Sequence, residues 1–312
     1  MRLIRGFHNL VDLPVAQRGC ALTIGNFDGV HRGHQAVLAQ LQARAAELQV
    51  PATVMVFEPT PQEFFSPETA PARLQRLRDK LVLFKQLGVE RVICLRFNRK
   101  LAERDASAFV QDILVDGLDV RHLVIGDDFC FGKDRSGDFA FLQQAGQQHG
   151  FEVVSTQTVA ERDERVSSTR IREALSAGEL AMAEQLLGRP YTMCGRVAPG
   201  QQRGRTIGFP TANVRLHRAV SPVSGVFAVR VHGLGDEQPL TGVANLGTRP
   251  TVCGKETVLE THLFDFDRDI YGQYVEIEFC KKLREEKKFE SFEALKQQIQ
   301  QDAEQARQFF SE

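Results

Sequence analysis

Apolar positions in the first half of the chain follow two alternating rhythms. Short continuous runs of strand length occupy 20–25, 52–57, 91–95, 121–126 and 151–156. Between them, apolar residues recur three and four apart over 34–48, 73–87, 105–116 and 138–149; Val37, Leu38, Leu41, Ala45 and Leu48 are an example. The first rhythm marks strands buried on both faces and the second marks amphipathic helices. Their alternation predicts a doubly wound parallel sheet with helices on both faces, whose ligands bind beyond the carboxyl ends of the strands. A further helical stretch over 177–187 stops at Gly188-Arg189-Pro190. After it the pattern becomes short runs at 191–198, 223–232, 239–246, 256–264 and 273–280, separated by Gly, Pro and Asp clusters, and then one amphipathic stretch over 290–310. That order predicts a small antiparallel β-barrel closed by a C-terminal helix. The expected architecture is α/β plus β, with domains at 1–187 and 188–312.

Composition narrows the class. At 312 residues the chain is long enough for two domains, and 42% hydrophobic with 25% charged residues is ordinary for a globular protein. A net charge of -1 gives no support for a general nucleic-acid or anionic-membrane surface. The opening residues MRLIRGFHNL hold no apolar core of a signal peptide, and no apolar run approaches membrane-spanning length. Six scattered cysteines without a CxxC pair read as reduced, structural thiols in a cytoplasmic protein, with no zinc site.

The chemistry is concentrated in the loops. Thr23 to Gln35, TIGNFDGVHRGHQ, joins the first strand to the first helix, with Gly25, Gly29 and Gly33 every fourth residue. Glycines allow close backbone approach to a ligand, a helix start attracts phosphate, and His31 and His34 can donate hydrogen bonds to phosphate oxygens. Taken alone, two histidines three apart serve equally well as solvated surface. Pro59, Pro61, Phe64 and Phe65 form a rigid aromatic loop after the second strand, and Asp127 and Asp128 lie in GDDFCFGKDRSGD after the fourth. RVSSTRIR, 165–172, opens a helix with Ser167, Ser168 and Thr169 at its start and Arg165, Arg170 and Arg172 nearby, a second place for an anion. In the second half, GQQRGRTIGFPTANV carries Gly204, Arg205 and Gly208 ahead of Pro210, Thr211 and Asn213, with no Walker-type phosphate loop anywhere. Alternation in TVLETHLF puts Glu260 on one face with Val258, His262 and Phe264. Asp265, Asp267 and Asp269 read as a solvated turn.

His31-Arg32-Gly33-His34 resembles the HxGH signature of nucleotidylyltransferases, a Rossmann-like class. With Asn26-Phe27-Asp28-Gly29 ahead of it, the stretch is similar to the bacterial bifunctional riboflavin kinase/FAD synthetase family. The second half resembles the same family through GFPTAN, GVFAV at 225–229, GVANLGTRPT at 242–251, LETHLFDF at 259–266 and LREEKKF at 283–289. The resemblance implies an FMN adenylyltransferase domain over 1–187 and a riboflavin kinase domain over 188–312. In the first it implies catalysis by His31 and His34. ATP would contact Gly25, Phe27, Asp28, Ser168, Thr169 and Arg172, and the flavin would contact Pro59, Pro61, Phe64 and Asp128. Arg73 also matches. Cys130 departs from the family, which usually has arginine there. In the second it implies Glu260 as the base for the riboflavin hydroxyl. Gly204, Arg205, Gly208, Pro210, Thr211 and Asn213 would serve ATP, with Thr211 and Asn213 also serving magnesium, and Arg284 and Phe289 would lie at the flavin. The implied partners are riboflavin, FMN, FAD and ATP.

Two other readings fit fewer of these motifs. A nucleotidylyltransferase for another cofactor precursor leaves GFPTAN and LETHLFDF unexplained. A non-catalytic nucleotide or flavin sensor predicts lost catalytic side chains, yet His31, His34, Thr211, Asn213 and Glu260 all stand in place.

Overall fold

The computed structural model describes residues 1–14, 17–126, 128–156, 160–161, 164–199, 209–216, 218, 220–251 and 254–311; at 11, 160–161, 164–165, 248–251 and 254–256 it describes the backbone alone. The predicted positions Asp127, Arg203, Gly204, Arg205 and Gly208 and the side chain of Arg165 lie outside the described residues. The chain forms two compact units: residues 1–70 with 76–166, and residues 71–75 with 167–312.

The first unit is built on six parallel strands: β1 (Arg2–Arg5), β2 (Cys20–Ile24), β3 (Ala52–Glu58), β4 (Arg91–Arg96), β5 (Val120–Ile125) and β6 (Glu152–Ser155), in the order β1-β4-β3-β2-β5-β6. A separate antiparallel pair, β7 (Ala160–Glu161) and β8 (Glu164–Arg165), follows. Five of these match the predicted runs to within a residue or so. β1 is the exception, a four-residue edge strand with only Ile4 buried, too short and polar for the pattern to announce. Helices α1 (Phe7–Val11), α2 (Arg32–Leu48), α3 (Pro61–Phe65), α4 (Leu77–Gln86), α5 (Arg99–Ala102), α6 (Ala106–Phe109) and α7 (Phe139–His149) occupy the connections. α6 runs on as a π-helical turn over Val110–Val115 within the predicted 105–116 segment. Successive residues of β3 serve opposite cores, which is what a doubly wound sheet requires. Met55 packs with Leu22, Ile93, Ile113 and Leu142, while Val54 and Val56 pack with Leu38, Phe84 and Val92. Strand order reverses between β2 and β5, and the crevice at such a reversal is where ligands enter folds of this type.

The second unit begins with α8 (Ser168–Ala177) and α9 (Leu180–Leu187) and continues into the closed antiparallel barrel β9 (Thr192–Ala198), β10 (Ala212–Arg215), β11 (Gly225–His232), β12 (Leu240–Thr251), β13 (Gly254–Leu263) and β14 (Tyr274–Arg284), in the order β10-β13-β12-β11-β14-β9 with β9 pairing β10. α10 (Phe292–Ser311) follows. β10 is the strand that the hydrophobic pattern omits. Val197, Val214, Phe227, Leu246 and Leu259 fill the interior. Outside it, Ala303 and Ala306 of α10 pack with Ala228 and Phe264.

The packing division differs from the change of pattern at 187. α8 and α9 belong with the barrel unit, where a Cβ on Gly178 would fall 2.5 Å from Lys282 Cδ. The segment 71–75 joins them: the Tyr191 hydroxyl donates to the Leu74 carbonyl at 3.3 Å and Arg172 Nε to the Ala72 carbonyl at 2.6 Å. Local pattern reports what each segment forms; it does not report what the segment packs against.

Candidate active sites

The turn after β2 is an unusual piece of backbone. Phe27 (φ 48°), Gly29 (φ 85°) and Val30 (φ 41°) all adopt left-handed dihedrals. For Phe27 and Val30 that conformation is strained. Burial holds them, at 4% and 0% exposure. The turn delivers His31 to the N-cap of α2, where Nδ1 accepts the His34 N–H at 3.3 Å. Since Nδ1 is the acceptor, the ring proton of neutral His31 sits on Nε2. The His31 and His34 rings stack with centroids 3.6 Å apart, and the Phe27 ring lies 4.9 Å from that of His34. Gly33 makes room for the stack, since a Cβ there would fall 3.2 Å from the His31 ring. The His34 ring is partly exposed, but its Nδ1 is buried with no hydrogen-bond partner among the described residues. Burial first, and then the neighbouring His31 and Lys80, push its pKa well below the usual value, so His34 is neutral at physiological pH. Imidazoles at a helix start can donate hydrogen bonds to phosphate oxygens.

Two further loops leave the carboxyl ends of neighbouring strands. After β5, Asp128 is exposed and its Oδ1 lies so close over Gly126 that a Cβ there would come within 2.9 Å. After β3, Pro59 and Pro61 lead into α3, capped reciprocally by Thr60 and Glu63. Phe64 and Phe65 gather there with Phe57 and with Phe97 at the end of β4, the Phe97 ring lying 5.3 Å from Phe64 and 5.6 Å from Phe65. Phe97 is a member of this cluster that no motif marks.

In the second unit, Ser167 caps α8 by accepting the Arg170 N–H at 3.3 Å, which places Ser168 and Thr169 in the first turn. Arg172 is bonded to the Ala72 carbonyl as described above. In the barrel, strand register places Asn213 of β10 and Asn245 of β12 directly opposite Glu260 on either side. Their neighbours Val214, Leu246 and Leu259 point inward and are buried, so Asn213, Glu260 and Asn245 form a row on the outer face. Asn245 is a neighbour that only the register reveals. His262 lies on the same face as Glu260. Its Nδ1 lies 2.9 Å from the Pro210 carbonyl, which can only accept, so Nδ1 carries the proton and ties β13 to the GFPTAN segment. Phe209 packs edge-on against the same ring at 5.1 Å. Pro210 and Thr211 line a cleft of about 410 Å³ with Thr261, Phe266, Arg268 and Tyr271. Arg284 is held by Asp302, Nε to Oδ1 at 2.9 Å and Nη2 to Oδ2 at 2.7 Å, with its guanidinium 5.7 Å from the Phe289 ring.

The two units thus pair a nucleotidylyltransferase-type turn at a sheet reversal with a small barrel bearing a carboxylate on its outer face. The FAD synthetase family model matches residues 13–170 and the riboflavin kinase model residues 187–310. The chain is 54% identical over 310 residues, 99% of its length and 98% of its relative's, to a bifunctional riboflavin kinase/FMN adenylyltransferase of Escherichia coli K12. It is 52% identical over 311 residues, 100% of each chain to the nearest per cent, to one from Haemophilus influenzae. It therefore belongs to the bifunctional riboflavin kinase/FMN adenylyltransferase family. A crystal structure described as a macrolide-efflux protein from Streptococcus pneumoniae matches with a TM-score of 0.79 at 30% identity over 98% of this chain and 99% of that one. Among the described residues no helix is long and apolar enough to cross a membrane.

Proposed function

We propose that the chain makes FAD from riboflavin in two steps, with the residue roles that follow. In the barrel unit the riboflavin 5′-hydroxyl attacks the γ-phosphorus of ATP. Glu260 takes the hydroxyl proton, ADP leaves and FMN forms. In the HxGH unit an FMN phosphate oxygen attacks the α-phosphorus of a second ATP, the bond to the β-phosphate breaks and pyrophosphate leaves. Both reactants of the second step are anionic, so catalysis there is alignment and charge stabilisation. His31, His34 and the α2 N-terminus are assigned that work, with Gly25, Phe27 and Asp28 in the turn and Ser168, Thr169 and Arg172 as further ATP contacts. Pro59, Pro61, Phe64 and Asp128 are assigned to FMN. In the kinase, Pro210, Thr211 and Asn213 are assigned to ATP, and Arg284 and Phe289 to the flavin. The domain roles divide at 187/188.

Among the described residues no three of His, Cys, Asp or Glu come together as a metal-holding group. Thr211 and Asn213 offer neutral oxygens, which suits a magnesium ion arriving with the phosphates of ATP rather than a resident ion. Free cysteines at 20, 94, 130, 194 and 280 suit a cytoplasmic location.

The observation that carries the kinase assignment is the register that sets Glu260 beside Asn213. A chromatographic time course with riboflavin, ATP and magnesium tests the whole reading, with FMN expected first and FAD after it. Glu260→Gln should lower FMN formation by about 10²- to 10⁴-fold, the usual worth of a general base, while supplied FMN is still converted to FAD. Parental FMN formation by that variant would remove Glu260 from the mechanism.

A further inference from the structure

Lys80 carries a charge that the motifs do not account for. It sits on α4, only 5% exposed. A buried ammonium is costly unless the structure uses it. Its Nζ donates to the Asn26 carbonyl at 2.5 Å, which fastens α4 to the residue just before the left-handed Phe27. One helical turn further along α4, the buried Phe84 meets Phe27 edge-on at 5.6 Å. Residues four apart share a helix face, so one stripe of α4 grips two consecutive residues of the turn, Asn26 by its carbonyl and Phe27 by its ring. His31 and His34 stand at the far end of that same turn, and the Lys80 charge is felt at His34.

We infer that Lys80 is a positioning residue for nucleotidyl transfer, which holds the turn in the shape that presents His31 and His34 and adds a positive charge behind that turn. The inference rests on the adenylyltransferase role assigned above to that turn. A strained backbone that releases its tether relaxes away from the geometry it was held in. An anionic nucleotide, moreover, gains from a nearby cation that low dielectric leaves unscreened. FMN is anionic too, but it is Gly25, Phe27 and Asp28 of the tethered turn that are assigned to ATP, so the loss should fall on ATP more than on FMN.

The test uses the full chain with Lys80→Met and Lys80→Arg, measuring adenylylation of supplied FMN with ATP and FMN varied in turn. Riboflavin phosphorylation and circular dichroism are followed in the same preparations. For Lys80→Met the ATP KM should rise at least fivefold, with the FMN KM changed less than twofold and phosphorylation unchanged. Lys80→Arg, which keeps charge and donors, should return the ATP KM to within threefold of the parent. If Lys80→Met does not fold, Lys80→Gln takes its place under the same criterion. A smaller rise in ATP KM, or ATP and FMN terms that worsen together with no rescue by arginine, would reduce Lys80 to a packing residue. Absence of FAD formation in the parental protein would instead overturn the adenylyltransferase role itself.

Discussion

Gly33→Ala separates positioning from stability within the HxGH turn. The added Cβ would fall 3.2 Å from both Cε1 and Nδ1 of His31, a contact that requires the ring to give by a few tenths of an ångström. The ring has little freedom to do so, since His31 is 6% exposed and stacks 3.6 Å from His34. A misplacement of 1 Å at a reacting centre costs about 100-fold, so a shift of a few tenths should lower FAD formation roughly 3- to 10-fold. Stability should hardly change. Alanine is better than glycine in a helix by up to about 1 kcal/mol. A disturbed His31 cap costs a comparable amount, about 0.5–2 kcal/mol for N-caps in general. The assay is FAD formation from FMN and ATP, with riboflavin phosphorylation by the same preparation as the internal control. Parental adenylylation by a folded variant would refute the steric reasoning, and an equal fall in both reactions would show a general loss of fold.

Two further outcomes follow from the burial of His34 and from the pairing of Arg284. His34 is neutral in the folded chain because its pKa is depressed, while in the unfolded chain it titrates near the ordinary value of about 6.5. Its stability contribution is therefore present above that value and lost as pH falls below it toward the folded pKa. Hydrogen-exchange protection of α2 should fall between pH 7.5 and 5.5 more steeply in the parent than in His34→Gln, and parallel curves would contradict the assignment. Asp302→Ala removes the 3% exposed carboxylate that pairs the Arg284 guanidinium and leaves that cation, 19% exposed, with only the Glu285 carbonyl as acceptor among the described residues. Unpairing a buried ion pair costs about 3–5 kcal/mol, so denaturant unfolding of the barrel unit should show a loss of about that size; a change under 1 kcal/mol would contradict the pairing.

Much of this was legible because the informative segments are local. The β2 run, the glycine spacing and the α2 periodicity lie within thirty residues, and the turn between them has few ways to close. Asn245 was not legible, since its place beside Glu260 depends on the pairing of β12 with β13. Lys80 was not either, because in LRDKLVLFKQ it reads as one more solvated base on an amphipathic helix. Phe97 follows β4 as an ordinary aromatic, and only the sheet order brings it to α3. The strand at 2–5 is too short for a period to be counted. In each case the missing information was a partner distant in sequence.

The strand arrangement also bears on how these units meet other chains. An unpaired strand edge is a template on which foreign backbone can crystallise into a growing sheet. The barrel, with β9 paired to β10, has no such margin. The parallel sheet has two, β1 and β6, each only four residues long. β1 exposes Arg2 and Arg5, and Glu152 of β6 is engaged by Arg44 at 3.1 Å and His122 at 2.9 Å. Intermolecular strand addition, a common route from a breathing sheet to a fibrillar deposit, thus finds short and charged purchase on the parallel sheet and none among the described strands of the barrel.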